Sequence, residues 1–166
     1  MQKIYDPEYY RVVFFSSAPI GTPFLTALHQ DPRFEVVGVV TQQDKPVGRG
    51  LKLTPNVIKQ TALELGFEEQ QIQTPRKINL ETSIEGKNIY DRLQAKSPDF
   101  LVVIAYGKIM PVSLLELPTF APINVHGSLL PQYRGASPLQ SVFLDQQTQT
   151  GITIMHMDAG MDTGAI

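Results

Sequence analysis

The sequence predicts an α/β fold: a doubly wound, mostly parallel sheet covered by helices on both faces. Two observations lead there. Runs such as FEVVGVVT (34–41) and FLVVIA (100–105) are apolar throughout, as strands buried on both sides must be. Between such runs lie apolar residues spaced three and four apart, each series closed by a Pro or a Gly.

Taken in order, Val12 to Phe15 reads as the first strand. Phe24, Leu25 and Leu28 share a face of a helix that Asp31-Pro32 ends, because a residue before proline is pushed out of helical dihedrals. Phe34 to Thr41 is the next strand. Val57, Ile58, Thr61, Ala62 and Leu65 mark a second helix with Gly66 as its stop. Ile72 to Thr74 reads as a short strand. Ile89, Tyr90 and Leu93 belong to a helix that stops before Ser97-Pro98. Phe100 to Ala105 is the clearest strand, turning at Gly107 into a helix started by Pro111. The following strand carries Asn124 and His126. A helix near Pro138 to Asp145 leads to a last strand, Gly151 to His156. Ligands of doubly wound sheets bind outside the carboxyl ends of the strands. Ala105, Tyr106 and Gly107, then His126, then the loop after His156 are expected to converge there on one crevice.

At 166 residues the chain can bury one real core, and its 42% hydrophobic content is ordinary for a globular fold. Fourteen basic and 16 acidic residues leave a formal charge of -2, so any contact with nucleic acid must come from a local basic patch. The absence of Cys excludes disulfides and thiolate chemistry. No apolar run approaches the ~20 residues of a membrane span, and Asp6 and Glu8 sit where a targeting peptide needs basic or apolar residues. A soluble, cytoplasmic protein with no membrane partner is expected.

Chemistry concentrates in INVHGSLLPQYRG (123–135) and MDAGMDTG (157–164). Residues two apart on a strand share a face, so Asn124 and His126 stand side by side while Ile123 and Val125 fill the other face. Asn offers neutral donors for an oxygen gaining negative charge, and His exchanges a proton near neutral pH. Gly160 and Gly164 flank Asp162 and suit a tight loop that brings a carboxylate over the strand. Such a trio suits attack by a neutral amine on an activated carbonyl without a covalent intermediate. On spacing alone, a structural Asn and a satisfied core His remain the alternative. Tyr133, Arg134 and Gly135 read equally well as a brace for the loop or as an anion site. His126, His156 and Asp162 show no recognised metal-ligand spacing, and no metal is expected.

INVHGSLLPQYRGASPLQ followed by TGITIMHMDAGMDTG closely resembles the formyltransferases that use 10-formyltetrahydrofolate, and within them the methionyl-tRNA branch. The resemblance implies a Rossmann-like formyltransferase fold with Asn124, His126 and Asp162 as catalytic residues. Asp158 is the competing carboxylate, and Asp162 is favoured because Thr163 and Gly164 follow it directly. By the same likeness, the turn in VIAYGKIMP (103–111) lines a folate pocket, with Gly107, Lys108, Ile109 and Met110 as contacts. The segment TQQDKPVGRGLKL (41–53) reads from composition as a flexible, solvated finger with excess positive charge. It resembles the TQPDRPAGRGKKL type of loop, which implies that Arg49 makes the discriminating contact to methionyl initiator tRNA. Lys45 and Lys52 would then meet phosphates.

The resemblance implies formyl transfer from 10-formyltetrahydrofolate to the amino group of methionyl initiator tRNA, a step of translation initiation. Formyl transfer to an amino-sugar nucleotide is the nearest enzymatic alternative. A truncated, inactive folate-binding or tRNA-binding fragment is the other. Two departures stand out. Ser16-Ser17-Ala18-Pro19 replaces a Gly-Thr-Pro turn after the first strand, where loss of Gly is expected to cost strain if φ is positive. The likeness also implies that residues 1–166 form a C-terminally truncated catalytic domain, without the β-barrel domain that follows in the family.

Overall fold

A computed structural model of the chain describes residues 8–47 and 52–166. Strand β1 (Tyr10–Ser16) leads through a single 3-10 turn (Pro19–Gly21) into helix α1 (Thr22–Gln30) and strand β2 (Phe34–Val40). Strands β3 (Lys45–Val47) and β4 (Lys52–Thr54) follow, then helix α2 (Val57–Glu64) and strand β5 (Ile72–Gln73). Helix α3 (Ile84–Gln94), strand β6 (Phe100–Ile104) and the short helix α4 (Val112–Leu115) precede strand β7 (Ala121–His126). Helix α5 (Pro138–Leu144) and strand β8 (Thr153–His156) complete the described elements.

Local chemistry sets these boundaries. The Asn56 side chain accepts the Ile58 N–H at 2.9 Å and starts α2, and Ser83 accepts the Gly86 N–H at 2.8 Å and starts α3. Gly66, at φ +91°, turns the chain just beyond α2. Pro111 caps α4 from outside, so that helix begins one residue later than the sequence suggested.

The main sheet has the order β5-β2-β1-β6-β7-β8. The chain steps outward from β1 to β2 and β5, then returns past β1 to β6 and β7, so the strand order reverses between β1 and β6. All these pairs are parallel except β7 with β8. Alternation along the central strands feeds two cores. Val13, Phe15, Leu101 and Val103 pack with Ile89, Leu93 and Leu114 from α3 and α4. Phe14 and Ile104 pack with Leu25, Ile58 and Ala62 from α1 and α2. Among the described residues, no helix is long and apolar enough to cross a membrane.

Three expectations are corrected here. Because β8 runs antiparallel to β7, with Thr153 opposite His126 and His156 opposite Ile123, the loop after His156 leaves from the far end of the sheet. It does not emerge with His126; the tail has to fold back to reach it. The finger at 41–53 is not a plain loop: β3 and β4 pair antiparallel as a separate ribbon, Lys45 with Thr54 and Val47 with Lys52. Finally, Ser16 and Ser17 are not among the residues at positive φ, so the loss of Gly costs no left-handed strain there.

Candidate active site

Asn124 and His126 leave the same face of β7, while Val125 packs into the opposite core against the α1 and α2 side. The tail after β8 brings the third group. Met157 N–H donates to Pro122 O at 2.9 Å, and His156 N–H donates to Ala165 O at 2.8 Å, so the chain reverses between them. That return requires Gly164, where a Cβ would lie 1.9 Å from the His156 carbonyl oxygen. Within the reversed segment Asp158 caps its own turn, accepting from the Gly160 N–H at 2.9 Å and the Thr163 hydroxyl at 2.7 Å. Asp158 is thereby spent on the loop, and Asp162 is the carboxylate presented to β7.

Asp162 meets three partners. Its Oδ1 accepts from Asn124 Nδ2 at 3.3 Å and lies 3.6 Å from His126 Nδ1, while its Oδ2 accepts from the Gly135 N–H at 2.8 Å. The two side chains are largely shielded, His126 at 6% and Asp162 at 12% exposure. Asp162 itself sits at φ +53°. The second ring nitrogen of His126, Nε2, donates to Tyr133 O at 2.9 Å, which fixes the ring orientation from the other side.

The loop carrying Tyr133 and Gly135 is held by buried hydroxyls. Ser128 Oγ donates to Gln132 O at 2.7 Å, and Thr153 Oγ1 donates to Ser128 O at 2.7 Å while accepting the Leu130 N–H at 3.0 Å. Gly135, at φ +109°, has open space where a Cβ would go, so its special feature is backbone direction. Sequence reasoning left Tyr133, Arg134 and Gly135 undecided; the two contacts that matter are a carbonyl and an amide, which no side-chain pattern reveals.

The turn after β6 stands at the reversal of strand order. Ala105 and Gly107 are exposed at φ +44° and +76°, and Ile109 is uncovered at 83% exposure. Met110 instead enters the core beneath the turn, beside Tyr106, Leu114 and Leu115. Burial pushes the Tyr106 hydroxyl above its ordinary ionisation range. Lys108 Nζ donates to the carbonyls of Pro75 and of Arg76, the latter at 2.8 Å, and so braces the turn against the chain following β5.

Gln42, just before the ribbon of β3 and β4, meets this turn, its Nε2 donating to Tyr106 O at 3.0 Å. At the ribbon's root Asp44 accepts from Lys59 Nζ at 2.8 Å and from the Asn56 N–H at 3.1 Å. Lys45 and Lys52 are placed here by their backbone register, and Arg49 lies outside the described residues. Among the described residues, no group of three or more His, Asp or Glu is arranged to hold a metal ion. A groove of about 560 Å³ lies away from these groups, lined by Tyr9, His29, Phe34 and Phe67 at the amino ends of β1 and β2.

Residues 10–166 match the family model described as formyl transferase. This chain belongs to the formyl transferase family. Among its relatives are a methionyl-tRNA formyltransferase of Deinococcus radiodurans, 46% identical over 156 residues, and one of Methylacidiphilum infernorum, 42% identical over 156 residues. Each alignment covers 94% of this chain and 46% of the relative, so the chain spans about half the length of the curated relatives it matches. Among solved structures, glycinamide ribonucleotide transformylase 1 from Symbiobacterium toebii superposes with a TM-score of 0.72 at 19% identity, covering 99% of this chain and 73% of that one. That likeness shows the fold: the formyl transferase sheet of this chain is shared well beyond sequence similarity.

Proposed function

We propose that this formyl transferase chain carries the reaction centre for formyl transfer from 10-formyltetrahydrofolate to the amino group of methionyl initiator tRNA. The observation that carries the reading is the Asp162 carboxylate, held at once toward Asn124, His126 and the Gly135 amide. Asn124 Nδ2 has two hydrogens; one goes to Asp162, and the other is free in direction to stabilise an oxygen gaining charge. Protonated His126 adds a positive charge beside the same oxygen. Asp162 orients the His126 ring and accepts the proton that the attacking amine loses; the formyl C–N10 bond of the donor then breaks, and that proton goes to N10 of the departing tetrahydrofolate. Carboxylate and imidazole thus divide the work, and no covalent enzyme intermediate is required.

The formyl donor supplies the electrophilic carbon. The turn after β6 fits it on two counts: Ile109 offers uncovered apolar surface, and a Cβ at Gly107 would fill the narrow space beside Gln42 Nε2, 2.8 Å away. Gly107, Lys108, Ile109 and Met110 are read as this contact set. Gly107 and Ile109 face the ligand; Lys108 and Met110 keep the turn in place. Lys45 and Lys52 of the ribbon, and Arg49 between them in sequence, are read as the tRNA contacts, supported by the 42–46% identity to methionyl-tRNA formyltransferases. Residues 1–166 are read as catalytic-domain sequence, and the reaction is placed in the cytoplasm, where charged initiator tRNA is made.

The test is acceptor choice. The chain is incubated with 10-formyltetrahydrofolate and either methionyl initiator tRNA or an amino-sugar nucleotide. Formylation of the tRNA is expected; turnover of the sugar with none of the tRNA contradicts the reading. Folate binding without turnover of either acceptor identifies a binding fragment instead.

A further inference from the structure

A polar network at the carboxyl ends of β1, β2 and β6 takes no part in the chemistry assigned above. Ser17 stands at its centre. Its N–H donates to Ala105 O at 3.3 Å, its hydroxyl accepts the Gln42 N–H at 3.1 Å, and its carbonyl accepts from Asn56 Nδ2 at 3.3 Å. Gln42 then reaches across the reversal in strand order, where Nε2 donates to Tyr106 O at 3.0 Å. Its Nε2 stands 2.8 Å from where a Cβ of Gly107 would lie.

These bonds leave little slack between the ribbon and the turn. Gln42 precedes β3 by only two intervening residues, and Asp44, one of those two, is bound to Asn56 and Lys59 on the other side of the ribbon's root. A shift of the Tyr106–Gly107 peptide that keeps this bond draws the Gln42 carboxamide with it, at a residue that only two others separate from β3. An alanine at position 17 would have no hydroxyl for the Gln42 N–H.

We propose that Ser17 and Gln42 are positioning residues that couple the ribbon to the turn after β6, so that occupancy at either place raises affinity at the other. The proposal rests on the reading of the turn as donor-binding and the ribbon as tRNA-binding. Coupling of this kind is reciprocal: whatever factor the donor adds to tRNA affinity, tRNA must add to donor affinity. It requires an element with two arrangements biased from both sides, the role the proposal gives to the Gln42 bridge.

The experiment uses the whole chain with 5-formyltetrahydrofolate, which mimics the donor, and methionyl initiator tRNA. Affinity for each is measured by calorimetry with and without a saturating amount of the other. Each ligand is expected to tighten the other about five- to tenfold, in the usual range for such coupling. Ser17→Ala is expected to bring the factor close to one while changing each single affinity by less than about threefold, and Gln42→Ala to abolish the factor whatever it does to donor affinity. Ser17→Thr keeps an acceptor oxygen and is expected to retain the factor. Weaker single affinities with an undiminished factor would indicate a structural role only and overturn the proposal. A factor of one in the unsubstituted chain overturns it as well, while leaving both binding assignments intact. Failure of the unsubstituted chain to bind either ligand overturns those assignments together with the coupling.

Discussion

The Gly135 N–H donates to Asp162 Oδ2 at 2.8 Å, joining the loop after β7 to the tail after β8 across 27 residues. Gly135 reaches this carboxylate because its φ of +109° is open only to glycine, and no atom lies within 4 Å of where a Cβ would stand. Gly135→Ala therefore meets strain, not collision, of about 1–3 kcal/mol. The loop is expected to relax by withdrawing the amide from Asp162. Formyl transfer should fall at least about tenfold, the rate equivalent of some 1.4 kcal/mol. Donor affinity should hold, as calorimetry with 5-formyltetrahydrofolate would show; an unchanged rate would remove Gly135 from the site.

Asn124 and Asp162 make different contributions, and their substitutions should show it. Asn124→Ala removes a neutral donor from the developing oxyanion and is expected to lower kcat by roughly 10²–10³. Asp162→Asn removes the proton acceptor and is expected to lower kcat by roughly 10²–10⁴. Both are expected to leave the donor affinity nearly unchanged. Steady-state kinetics at saturating donor separates kcat from KM; a change confined to KM would assign both residues to binding.

The reversed tail depends on one close approach. At Gly164 a Cβ would fall 1.9 Å from His156 O, and that atom is backbone, so it cannot swing aside. Gly164→Ala is expected to peel the tail from β8. Hydrogen exchange at the His156 N–H, which donates to Ala165 O at 2.8 Å, should quicken by about tenfold or more. Exchange as slow as in the unsubstituted chain would mean that the tail is held by other contacts.

The root of the ribbon carries a pH signature. The Lys59 ammonium holds the Asp44 carboxyl below its ordinary range, outweighing the opposite pull of burial, and the Asn56 N–H lowers it further. A carboxylate with a lowered pKa in the folded state contributes fully above its unfolded value, near 3.9, and loses that contribution as pH falls through the lower folded value. The stability difference between the unsubstituted chain and Asp44→Asn is thus expected to be about 1 kcal/mol at neutral pH. It should shrink only below about pH 4. Urea titrations across that range measure it, and a difference that persists in strong acid would contradict the assigned cause.

Much of this was legible in the sequence for physical reasons. Buried parallel strands must be apolar on both faces, so Phe100–Ile104 announces itself. Period two puts Asn124 and His126 together before any fold is known. The direction of β8 was not legible: Thr153–His156 is only 4 residues long, and neither strand period nor composition encodes parallel against antiparallel pairing. The ribbon was hidden because its 3-residue strands carry Lys and Pro, poor strand formers, and are set by register rather than burial. In the sequence Ser17 is only the second Ser of Ser16-Ser17, in place of the Thr of a Gly-Thr turn. Its hydroxyl and carbonyl hold Gln42 and Asn56, partners 25 and 39 residues away that only the fold brings near.

The most direct test of the reaction centre is a single-turnover assay: excess chain, 10-formyltetrahydrofolate and methionyl initiator tRNA, with formylated product quantified over time. Product is expected from the unsubstituted chain, with His126→Ala slower by roughly 10²–10⁴ at equal folate occupancy. Equal rates for the two proteins would contradict the assignment of Asn124, His126 and Asp162 as the site of formyl transfer.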